Sequence, residues 1–112
     1  MKNKYKISSL IAGLTLAASS SLVYAADDVT LQLKWVTQAQ FAGYFVAQDQ
    51  GFYDAEDLNV TIKPGGPDVA PPQVIAGGGA DVVVDWMPSA LASREKGLAL
   101  VNIAQPFKNS GM

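Results

Sequence analysis

The chain has 112 residues, 49% of them hydrophobic and 16% charged, with a formal net charge of −2; it can form one small domain and is too apolar for a disordered tail. It contains no cysteine and no histidine, which excludes disulfides, a cysteine nucleophile, a Ser-His-Asp triad and the usual zinc ligand sets. The mildly acidic balance speaks against non-specific nucleic-acid binding.

The start of the chain reads as an export signal. Lys2, Lys4 and Lys6 precede an apolar run from Leu10 to Ala18, then Ser19–Ser21, with Val23 and Ala25 in the small-residue positions before a cut. This pattern predicts a signal peptide over residues 1–25, cleaved after Ala25. Ser8, Ser9, Gly13 and Thr15 interrupt the run, which falls short of the roughly 20 apolar residues that span a membrane. Removing 1–25 takes three of the eight basic residues and none of the ten acidic ones, so the remainder is the more acidic part. An exported acidic chain suits a compartment outside the cytoplasm and does not suit anionic membranes or polyanions. Residues 26–112 are short for an independent domain, and Pro106 to Met112 read as an interruption, so a fragment of a longer domain is expected.

Beyond Ala25, Val29 to Trp35 alternates apolar and polar side chains and predicts a strand. Gln38 to Gln50, with Phe41, Ala42, Tyr44, Phe45, Val46 and Ala47, predicts a mostly buried helix stopped by Gly51. Leu58 to Lys63 alternates again as a second strand, and Pro64 to Asp68 is a loop by composition. Pro71 and Pro72 open a short helix that Gly77–Gly79 end, since proline at the first helical positions loses no hydrogen bond. Asp81 to Asp85 has the apolar centre of a buried parallel strand. A helix from Pro88 to Lys96, closed by Gly97, leads to a fourth strand over Leu98–Ala104. The order β-α-β-α-β-α-β predicts an α/β fold, a parallel sheet with helices on both faces and right-handed crossovers.

Ligands of open parallel sheets sit beyond the carboxyl ends of the strands. After the first strand, Trp35, Gln38, Gln40, Phe41 and Tyr44 combine rings with amides, the mixture that stacks on a flat heteroaromatic solute and reads its edge. The same rings would serve as well to fill a core. After the third strand, Asp85, Trp86 and Met87 bring a carboxylate and a large ring to a helix start, where Asp85 could instead cap the helix. The glycines at 65–66 and 77–79 match no phosphate loop and are read as turn geometry.

The run Leu33 to Ala47, followed by Gln50-Gly51-Phe52-Tyr53, Leu58 to Ile62 and Gly79-Ala80-Asp81-Val82, resembles the solute-binding proteins of ABC importers. The resemblance is to the thiamine-pyrimidine-synthase-like subgroup, which includes binders of pyrimidine precursors, riboflavin, nitrate and alkyl sulfonates. It implies a type II periplasmic binding protein-like fold, with residues 26–112 as the N-terminal part of the first lobe, incomplete. It further implies capture of a small heteroaromatic solute, a thiamine pyrimidine precursor or a riboflavin-like compound, for a cognate ABC permease. Eukaryotic synthase relatives use a histidine as a source of ring atoms; this chain has none, so the resemblance implies a binder without cofactor or catalytic residues.

Overall fold

The computed structural model describes residues 25–109; the expected leader, apart from Ala25, lies outside the described residues. Six main elements follow in order: β1 (Asp27–Gln32), α1 (Ala42–Asp49), β2 (Leu58–Lys63), α2 (Pro71–Ala76), β3 (Val82–Val83) and α3 (Met87–Glu95). A 3-10 turn over Ala39–Phe41 leads into α1, and another over Asp54–Glu56 precedes β2.

The three strands form a parallel sheet in the order β2-β1-β3. β1 pairs with β2 along its whole length, from Asp27 opposite Leu58 to Gln32 opposite Lys63. On its other side β1 pairs with β3, Leu31 opposite Val82 and Gln32 opposite Val83. Bonds from the Asp81 N–H to the Thr30 carbonyl (2.9 Å) and from the Val84 N–H to the Gln32 carbonyl (2.8 Å) extend this ladder by a residue at each end. The first crossover moves from β1 to one side and the second returns past β1 to the other. Right-handed connections then place α1 and α2 on opposite faces.

The core lies on the α1 face. Leu31, Leu33, Phe41 and Val60 are buried together, with Val29, Tyr44, Phe45, Tyr53, Leu58, Ile62, Val82 and Val84 packed around them. Alternation along β1 sends Leu31 and Leu33 into this core and Gln32 to the opposite face. Gln32 is buried, and its amide is satisfied by main-chain carbonyls: Nε2 donates to Leu33 (3.0 Å), Pro64 (3.0 Å) and Lys63 (3.3 Å). α1 ends where Gly51 takes a φ of 70°, and Pro71 and Pro72 open α2 as their missing N–H groups allow.

Three expectations need correction. β1 covers Asp27–Gln32 rather than Val29–Trp35, because beyond Leu33 the chain turns out of the ladder. α1 is less enclosed than its composition implies: none of its own residues is buried, and the ring that enters the core, Phe41, stands in the preceding turn. Leu98–Ala104 forms no strand; it has no ladder partner among the described residues, its Leu100 N–H donates to the Leu98 carbonyl at 3.0 Å, and Val101 is 80% exposed.

Gly65 does more than turn the chain after β2. A Cβ there would lie 2.6 Å from the Lys34 carbonyl carbon and 2.7 Å from its oxygen, so the two main chains touch directly. The contact is fastened by the Gly65 N–H donating to the Trp35 carbonyl at 2.8 Å. Because the obstruction is backbone, no side-chain rotation relieves it. Gly65→Ala is therefore expected to cost about 1–3 kcal/mol or more, as overpacking does, whereas Gly66→Ala, whose Cβ would meet open space, should cost much less. Urea unfolding of the two variants checks the contrast.

Burial raises the pKa of the Tyr44 hydroxyl above its ordinary 10.0, with the neighbouring Tyr53 phenol adding to the shift, and burial raises Tyr53 in the same direction. A phenol that loses its proton later in the native state than in the unfolded one stabilises the fold fully below pH 10. That contribution is lost as pH rises through the native values. Stability should fall on the alkaline side, and Tyr44→Phe should flatten the fall, as followed by denaturant midpoints against pH.

Candidate functional site

The strand order switches at β1, with β2 added on one side and β3 on the other, and a crevice lies there beyond the carboxyl ends of β1 and β3. Two segments meet in it: Lys34 to Gln40 after β1, and Asp85 to Met87 at the entry to α3. A cleft of about 390 Å³ is lined by Lys34, Trp35, Gln38, Gln40 and Trp86. Trp35 is 38% exposed and Trp86 51%, so both indoles present surface to solvent. Large rings left this open at a strand end are a departure from core packing.

The two segments are joined by charge. Lys34 Nζ lies 2.9 Å from Asp85 Oδ1, with the two side chains 21% and 4% exposed. Oδ1 accepts no well-directed hydrogen bond, so its compensation is the nearby ammonium charge rather than a linear N–H···O bond. The other carboxylate oxygen accepts from Ser89 Oγ at 2.6 Å, one turn into α3. The same ammonium lies 5.1 Å from the centroid of the Trp86 ring, within cation–π range. Asp85 does not cap α3: the capping position is Trp86, in extended conformation, and no side chain bonds to the helix start. A carboxylate beside the amino end of α3 is still favourable to the helix dipole.

Of the residues singled out from sequence, Trp35, Gln38, Gln40 and Trp86 are brought together on this cleft. Phe41 is not: at 4% exposure it belongs to the core and makes a tilted contact with Tyr44, 6.5 Å between ring centroids. Tyr44 lines a neighbouring, mostly apolar hollow of about 420 Å³ with Gln40, Gly43, Pro106 and Phe107. Met87 opens α3 with its side chain exposed and away from the cleft lining. Asp85 is present at the site, yet Lys34 and Ser89 already engage its oxygens, so it shapes the cleft rather than offering a free acceptor. Sequence reading passed over Lys34, taking it as a polar position of the strand. The signal available was its opposite charge to Asp85, with each residue close beyond the carboxyl end of a neighbouring strand.

The family model described as NMT1/THI5-like matches residues 38–111, the greater part of the chain. The chain belongs to the NMT1/THI5-like family. Its α/β architecture with a parallel sheet is accordingly the periplasmic binding protein-like fold of that family. A Haemophilus influenzae protein named as a thiamine biosynthesis protein is 28% identical over 109 residues, covering 97% of this chain and 34% of the relative. A formylaminopyrimidine-binding protein of Halalkalibacterium halodurans is 29% identical over 111 residues, covering 94% of this chain and 33% of the relative. The chain thus spans about a third of the length of these curated relatives. No solved structure matches at a significant level. No helix among the described residues is long and apolar enough to cross a membrane.

The ion pair gives a stability prediction. Removing one partner of a largely buried pair costs about 3–5 kcal/mol, because the other charge is left uncompensated; the partial exposure of Lys34 puts the expected loss for Lys34→Met at the lower end, about 3 kcal/mol. The double variant Lys34→Met/Asp85→Asn should recover most of it. A double-mutant cycle by denaturant unfolding measures the coupling, and additive losses would show that the charges do not act as a pair.

Proposed function

We propose that this chain forms the first part of an exported solute-binding protein that captures a small uncharged heteroaromatic compound, an aminopyrimidine of the thiamine-precursor kind, for an ABC importer. The observation that carries the reading is the cleft at the β1/β3 switch point, where two exposed indoles stand beside two primary amides. Rings offer stacking area at little conformational cost, and Gln38 and Gln40 each supply a donor and an acceptor for the polar edge of a nitrogen heterocycle. The Halalkalibacterium relative, named for formylaminopyrimidine binding, supports the same ligand class. Within this proposal residues 1–25 are the signal peptide, the mature chain works in the periplasm, and residues 26–112 belong to one lobe of a two-lobed binder. A riboflavin-like ligand would use the same stacking surface. The reading is of a binder and not an enzyme: the residues at the cleft are rings, amides and a lysine held in an ion pair, an arrangement suited to recognition.

Truncating an aromatic anchor of a binding site costs about 2 kcal/mol or more. Trp35→Ala should therefore weaken aminopyrimidine binding by more than roughly tenfold, at 1.4 kcal/mol per factor of ten. Phe45→Leu, on the core side of α1, should lower stability and leave affinity nearly unchanged. Calorimetric titration of the two-lobed protein with formylaminopyrimidine decides the matter; equal affinity in wild type and Trp35→Ala would move the site elsewhere.

A further inference from the structure

Lys34 is the one charged residue among the five that line the cleft, and a lone lysine at a binding wall would ordinarily recruit an anion. Here the lysine is already answered. Its ammonium is 2.9 Å from a carboxylate that is 4% exposed, and that carboxylate is anchored to α3 by Ser89. Among the described residues, the one cation of the cleft wall therefore carries its own counter-ion beside it. The same ammonium lies 5.1 Å from the centroid of the Trp86 ring. An incoming anion would gain only what remains of the lysine field after Asp85, and it would also bring its own charge up against that buried carboxylate.

We infer that the Lys34–Asp85 pair is a specificity device: by cancelling the only charge among the described residues of the cleft wall it makes the site select uncharged ring ligands and reject anionic ones, phosphorylated pyrimidines, nitrate and sulfonates included. The inference rests on the pyrimidine-binding reading of this cleft and adds to it the residues that set its charge selectivity. Lys34 keeps Trp86 in place and Asp85 keeps Lys34 from acting as an anion receptor. Asp85→Asn retains the size and shape of the side chain and a partner for Ser89, but it removes the countercharge and leaves Lys34 free at the cleft.

The test is calorimetric titration with a matched pair of probes, a hydroxymethyl-substituted aminopyrimidine and its phosphate monoester, together with nitrate and methanesulfonate. Wild type should bind the uncharged pyrimidine at least tenfold more tightly than the phosphate ester and should take up neither small anion. A charge-assisted hydrogen bond is worth about 1.5–3 kcal/mol, so the freed lysine of Asp85→Asn should shift the ratio toward the ester by roughly tenfold or more. Lys34→Met/Asp85→Asn, which has neither charge, should return the ratio to the wild-type side, and it serves where Asp85→Asn alone folds poorly. Wild type binding both probes equally, or a ratio unmoved by Asp85→Asn, overturns the inference while the pyrimidine reading stands. If none of the probes binds wild type, the pyrimidine reading itself is overturned and the inference falls with it.

Discussion

An ammonium and a carboxylate, both largely withdrawn from water, hold the carboxyl ends of β1 and β3 against each other. Neither group is stable in that position alone, since a buried charge without a partner costs several kcal/mol. Together they tie Lys34, in the segment that leaves β1, to Asp85 at the entry of α3. Around this link the other features of the cleft take their positions. Ser89 fixes the carboxylate from within α3, and the ammonium overlies Trp86. Trp35, the next residue in the chain, is held through its carbonyl by the N–H of Gly65. One ion pair and one close backbone approach thus position the segments that carry both indoles.

The same wall depends on the amide of Gln32. A polar side chain buried in the central strand needs partners, and it finds them in three carbonyls where β1 and β2 end. This clamp keeps the chain after Lys63 close to the chain after Leu33, so that Gly65 comes to lie against Lys34. The wall of the cleft is therefore built from the sheet outward: a paired strand, a buried amide, a glycine that admits direct contact, and then the exposed rings. Each step depends on the one before it, and none of the rings needs to be packed in the core to be held in place.

How much of this could be read from the sequence differs by element. β2 was legible to the residue, because Leu58, Val60 and Ile62 alternate cleanly and Asp57 and Pro64 bound the run. The starts of α2 and α3 were marked by prolines and their ends by glycines. Leu98–Ala104 is a nearly continuous apolar run, yet it forms no ladder among the described residues. An apolar run says that a segment suits a packed surface, and it does not say which edge will pair with it. Phe41 was misplaced for a related reason: a ring after a strand fits a site or a core equally by composition, and only the turn over Ala39–Phe41 aims it inward. Trp35 and Trp86 could be found because both stand at the carboxyl ends of strand-patterned segments, an alternating one before Trp35 and an apolar one before Trp86. The Lys34–Asp85 pair could not be read along the chain, since the partners are far apart in sequence and meet only when β3 crosses back beside β1.

An open cleft can cover one face of a flat ligand and must leave the other to water. Well-formed small-molecule sites bury most of their ligand, typically 70–90% of its surface, which a wall of two indoles and two amides does not reach alone. In the proposed two-lobed binder the second surface arrives by closure, and closure also withdraws the site from water. Withdrawal strengthens every electrostatic term within it, so a lysine left without a countercharge would become a stronger anion trap as the site closed. A pair already neutralised before closure has little further desolvation to undergo. The wall can then be covered by a second surface and an uncharged ring without placing a net charge in a dry space. The same ion pair that joins β1 to α3 thus makes the cleft a surface that can be closed over at low electrostatic cost.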